Sequence, residues 1–111
     1  MTSQVVIPNS PVITSITPTT FVGTPGFLVK GTEDISNIPS GYSVKIDIFD
    51  QSTGGAVVGG PTTTNSDGSW QILIAANSGD LINAMALTLT PDGSPGATSR
   101  PSLTVVVPQR N

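Results

Sequence analysis

The stretch Ser40-Gly41-Tyr42-Ser43-Val44-Lys45-Ile46-Asp47-Ile48-Phe49-Asp50 carries the clearest periodic signal in the chain. From Val44 onward the side chains alternate: Val44, Ile46 and Ile48 fall on one side, Lys45, Asp47 and Phe49 on the other. Successive side chains leave a strand on opposite sides, so period two marks a strand with one buried and one mostly wet face. Turn-forming residues bound it, with Ser40-Gly41 before and Ser52-Thr53-Gly54-Gly55 after.

Working outward, the same reading predicts strands at Val12–Thr17, Phe27–Gly31, Tyr42–Asp50, Ala56–Gly59, Trp70–Ala75, Ile82–Thr90 and Leu103–Val107. Asp67-Gly68 delivers a turn into the fifth, where Trp70, Ile72 and Ile74 share a face. In the sixth, Met85, Leu87 and Leu89 are expected inward and Ala84, Ala86, Thr88 and Thr90 outward. In the last, Leu103, Val105 and Val107 share one side. Ten prolines cut the chain into pieces mostly too short for helices. The expectation is an all-β, antiparallel β-sandwich of about seven strands. It divides into an arm at residues 1–10, one domain at 11–107 and a tail at 108–111.

Composition narrows the chemistry. The 111 residues include no cysteine and no histidine, and the net charge is −3. That excludes disulfides, thiolate nucleophiles and Cys/His zinc sites. It also removes the commonest acid–base side chain and any Ser-His-Asp arrangement. Four scattered cations against seven anions make no nucleic-acid footprint. Residues 1–4 carry no basic leader pattern, Val5-Val6-Ile7 is a three-residue apolar run, and no stretch reaches membrane-span length. The expected product is soluble and made in a cytosol.

The remaining candidates for chemistry read more simply as structure. A Ser-Lys pair would need Lys30 or Lys45, and Lys45 stands on the wet face. Asp47 and Asp50 point to opposite faces, and Glu33-Asp34 is an adjacent loop pair. Asn65, Asp67 and Ser69 alternate in a tight loop that Asp50, Asp80 or Asp92 could approach, but the loop itself holds one carboxylate where calcium loops gather several. It reads as a hairpin turn. Gly54-Gly55 and Gly59-Gly60 lack a following Gly-Lys-Ser/Thr and read as turn glycines. Trp70 reads as core. No catalytic residue, metal ligand or cofactor is expected.

Binding is the reading that survives. Only 10% of the chain is charged, and the wet strand faces carry Thr, Ser and Gln. Edge strands usually carry charges against unwanted pairing, so faces or edges that become covered are expected, beside the plain alternative that threonine favours strands. The arm is expected to dock, on a partner chain or as an extra edge strand of its own domain. Val5, Val6, Ile7, Phe49, Val106 and Arg110 are the candidate partner-binding residues. Phe49 is an aromatic on the wet face, a residue type enriched at interfaces.

Gly31-Thr32, the Ser40–Asp50 stretch, Asp67-Gly68-Ser69-Trp70 and the run from Ser99 to Val107 together resemble the bacterial immunoglobulin-like module over residues 11–107. The insertion Glu33–Pro39 and the single copy depart from that pattern. As a whole, in size, low charge and lack of cysteine, the chain resembles the capsid decoration (staple) proteins of tailed bacteriophages. The first resemblance implies an immunoglobulin-like sandwich, with a jelly-roll-like strand order left open. The second implies a non-enzymatic protein on the outer capsid surface of the virion. It would bind and brace neighbouring major capsid protein subunits, also as a homodimer across a symmetry axis. A carbohydrate- or cell-surface-binding module of an adhesin is the alternative.

Overall fold

The computed structural model describes residues 6–109. They form eight strands: β1 (Val12–Phe21), β2 (Thr24–Thr32), β3 (Ser43–Asp50), β4 (Ala56–Thr63), β5 (Ser69–Ile74), β6 (Leu81–Leu89), β7 (Pro95–Thr98) and β8 (Val105–Val106). A single 3₁₀ turn, Gln51–Thr53, is capped by the Asp50 carboxylate, which accepts from Ser52 N. The strands make two antiparallel sheets, in order β1-β2-β5 and β4-β3-β6-β7, with β8 also paired to β6. The all-β sandwich expectation holds.

The core lies between the sheets. Phe27 and Val29 of β2 and Trp70, Ile72 and Ile74 of β5 face Val44, Ile46 and Ile48 of β3 and Ile82, Ala84 and Ala86 of β6. Two seams depend on glycine because side chains would collide there. A Cβ on Gly31 would stand 2.2 Å from the Trp70 ring and 2.3 Å from the Val12 carbonyl oxygen. A Cβ on Gly59 would stand 2.6 Å and 2.7 Å from the Cγ2 methyls of Ile74 and Ile72, so β4 closes against β5 only with glycine there.

Two strand readings need correction. In β6 the buried set is Ile82, Ala84, Ala86 and Thr88, while Met85, Leu87 and Leu89 are half-buried on the outer face. The cause is volume. Ile46 pairs with Ala86 and Ile48 with Ala84, so large opposes small and the space fills without strain. At the C-terminal end, Leu103 is 89% exposed and the strand shrinks to Val105–Val106. Serine hydroxyls take over the ladder: Ser99 Oγ and Ser102 Oγ accept from Ala86 N (2.9 Å) and Ala84 N (2.8 Å). Pro101 lies between them, has no N–H to offer, and helps keep the segment irregular. The additional strand β7 accounts for the count of eight.

The described part of the arm folds onto its own domain. Val6, Pro8 and Pro11 are buried, and Thr88 Oγ1 donates to Val6 O at 2.9 Å while accepting from Ala97 N at 3.1 Å. Asn9 Nδ2 donates to Asp34 O (3.0 Å) and Asn37 Nδ2 to Ile7 O (3.1 Å). Residues 6–10 thus lie against the domain that the sequence reading begins at residue 11. Thr88→Val keeps the shape and strands the buried Val6 carbonyl and the half-buried Ala97 N–H; thermal denaturation should show a loss of about 1–3 kcal/mol.

Candidate protein-docking surface

A pair of neighbouring exposed apolar side chains stands at the end of the β1–β2 hairpin. β5 stops at Ile74, opposite Phe27, so residues 19–21 and 24–26 continue as a two-stranded ribbon. Residues 20–25 are all exposed, Phe21 at 62% and Val22 at 89%. Two residues, Val22 and Gly23, make the turn, at φ 51° and 79°. Both central residues of this tight hairpin need positive φ, which asparagine or glycine normally supplies. Valine there is an outlier, because a β-branched side chain crowds the backbone in the left-handed region. The chain thus holds a strained, wholly exposed valine beside an exposed phenylalanine. Below them lies an open groove of about 440 Å³, lined by Pro25, Val58, Leu73 and Ala75 among others.

The sequence-derived candidates scatter around the molecule. Val5 and Arg110 lie outside the described residues. Val6 is buried in its own domain, and Ile7 beside it is 63% exposed. Phe49 is half-buried on the outer face of the five-stranded sheet, with Val57 and Asn83 as its register partners. Val106 is 57% exposed next to Leu81, its β6 partner at 42%. None of these four sits on the hairpin groove. Phe21 and Val22 escaped the sequence reading, although an apolar pair at a hairpin turn is itself an anomaly.

The acidic residues are mostly engaged in local structure. Asp67 Oδ1 accepts from Ser69 N (3.0 Å) and Ser69 Oγ (2.6 Å), and Asn65 Nδ2 donates to Ser69 Oγ (2.9 Å). The loop once weighed for calcium thus ties its polar groups to one another. Asp34, Asp67 and Asp92 are held below the usual carboxylate range by hydrogen bonds from Ser36, Ser69 and Thr90 respectively. Asp50 is buried beside Asp80, and burial together with that neighbour raises its pKa. Among the described residues no three metal-ligating side chains gather. Lys45 Nζ donates to Thr63 Oγ1 at 3.2 Å. Trp70 is 3% exposed and offers no face for a sugar ring.

Among the described residues three buried side-chain polar atoms have no partner: both carboxylate oxygens of Glu33 and Trp70 Nε1. Glu33 is 4% exposed, and burial, with the adjacent Asp34 charge, pushes its pKa up to about 7. No family model, curated protein or solved structure matches the chain.

Proposed function

We propose that this protein is a non-enzymatic structural protein that binds the outside of a bacteriophage capsid, docking through the β1–β2 hairpin. The observation that carries this reading is the exposed Phe21-Val22 tip held in a strained turn. Strained backbone persists only where the surroundings enforce it, and it concentrates at binding sites and switches. An exposed aromatic above an apolar groove has the character of an interface anchor, with the tip fitting a pocket and the groove receiving a ridge.

The molecule is elongated, 54 × 26 × 20 Å, a shape suited to lying across a boundary between neighbouring major capsid protein subunits. The low charge supports a surface that becomes covered rather than one steered by long-range fields. With Val6, Pro8 and Pro11 packed on the chain's own body, the anchor moves from the arm to the hairpin.

Val22→Asn tests the reading because asparagine tolerates the left-handed region. Removing the strain should raise stability by about 1 kcal/mol, while losing the apolar contact should weaken retention on the capsid at least about tenfold. Stability gained with retention unchanged would show that the tip is not the anchor.

A further inference from the structure

Glu33 closes an inward-facing series on β2. Phe27, Val29 and Gly31 are buried at alternate positions, and Glu33 follows at the next one, just past the strand end. Its backbone N donates to Gly68 O at 2.8 Å, which fixes the residue in the mouth of the sandwich. The carboxyl oxygens have no donor. A carboxylate cannot remain charged, dry and unpaired, because the cost far exceeds that of picking up a proton or moving out to water.

Among the described residues no cation offsets its burial. Asp34 adjoins it, and the loop that receives its N–H carries Asp67; both are acidic. Lys30, upstream on β2, is exposed on the opposite face. The segment Val6–Pro11 has no ionisable side chain. Trp70, buried on the same face of the neighbouring strand, contributes a neutral N–H that is itself unpartnered.

The loop that starts at Glu33 also holds the arm. Asp34 Oδ1 accepts from Ser36 N at 3.0 Å and shapes the turn. Asn9 Nδ2 donates to Asp34 O and, at 3.2 Å, to Asn37 Oδ1, while Asn37 Nδ2 donates to Ile7 O. Among the described residues, three of the four side-chain hydrogen bonds that fasten residues 6–9 therefore end on residues 34–37, and the fourth comes from Thr88. Asp34, the next residue along, carries the carbonyl that Asn9 holds, so a backbone shift at Glu33 passes directly to the arm's contacts.

We propose that Glu33 is a protonation-controlled latch: its neutral carboxyl keeps the 33–37 loop, and with it segment 6–11, on the body, and ionisation releases both. The sign follows from the environment. A buried acid whose pKa lies near 7 supports the closed state fully below about 4.5, the ordinary value, and loses that support as pH rises through 7. Above neutrality, Val6 and Pro8, buried while docked, become available to a partner surface beside the already exposed Ile7.

Hydrogen exchange on the full chain tests this, read as protection factors corrected for intrinsic rates. Between pH 5 and pH 8 the bonded amides of the loop, Glu33 N on Gly68 O, Ser36 N on Asp34 Oδ1 and Ile38 N on Ile35 O, should lose protection on the order of tenfold or more, while those of Val44–Ile48 stay protected. Glu33→Gln, neutral at every pH, should hold the loop alike at both values. A wild-type loop indifferent to pH, or a Glu33→Gln loop with the same pH dependence, would overturn the latch. The carboxyl carbon of Glu33 gives an independent readout in the unmodified protein: a titration midpoint well above 4.5 supports the latch, and one at the ordinary value overturns it.

Discussion

Gly31→Ala should destabilise the fold by about 3 kcal/mol or more, measured by urea denaturation. The added methyl has nowhere to go. Its carbon would stand 2.2 Å from Trp70 Cζ2 on one side and 2.3 Å from the Val12 carbonyl on the other. The carbonyl belongs to β1, whose pairing with β2 fixes its position at Val12–Thr32 and Ile13–Gly31. The indole is held 3% exposed in the core. Either β1 or the indole-bearing β5 moves away from β2 within the three-stranded sheet, or the indole leaves its place in the core. Because part of the clash is with the ring, combining Gly31→Ala with Trp70→Leu should cost less than the sum of the single changes. Additive losses would show that the indole does not press on Gly31.

Ala86→Leu should also cost about 3 kcal/mol, whereas Leu87→Ala, one residue along, should cost about 1 kcal/mol. Ala86 is 1% exposed and pairs with Ile46 across the ladder. A larger side chain there must displace close-packed neighbours, and the Ala86 N–Ser99 Oγ hydrogen bond at 2.9 Å limits any shift of the strand. Leu87 stands on the half-covered outer face beside Lys45, so trimming it removes only partial burial. Thermal melts of both variants would check the assignment. The opposite order of losses would restore the face that hydropathy alone predicts for β6.

That reversal marks where the sequence was legible. In β3 the two faces differ in polarity: Val44, Ile46 and Ile48 against Lys45 and Asp47. Burial then follows directly from alternation. In β6 both faces are apolar or neutral, and they differ only in size. Choosing between them requires knowing that Ile46 and Ile48 already occupy the opposite positions, which is information about pairing. The short β7 was invisible for a related reason. Pro95-Gly96-Ala97-Thr98 has little strand character of its own, and its place is set by register with Leu87 and Leu89 and by Thr88 Oγ1 accepting from Ala97 N.

The candidate site was less legible than the fold. Val22-Gly23 is not a usual hairpin pair, so Phe21-Val22-Gly23-Thr24 carried no turn signal despite forming one. Its meaning emerges only when β5 ends at Ile74 and leaves the ribbon uncovered. Glu33 was hidden by the reasonable expectation that carboxylates stay wet. A signal did exist, since Phe27, Val29 and Gly31 set a parity that Glu33 continues. The low overall charge keeps its place in the account, now attached to a definite location: a hairpin tip whose exposed residues are apolar or uncharged.

The central claim is that this tip anchors the protein on an icosahedral particle. The most direct measurement is density-gradient sedimentation of lysate from cells that make the chain, with the chain quantified in each fraction beside a folded Phe21→Ser/Val22→Asn variant. The natural chain should migrate with capsid-sized particles, and the variant should stay at the top of the gradient. A natural chain found only among small soluble proteins, or a variant that travels with the particles as well as the natural chain, would contradict it.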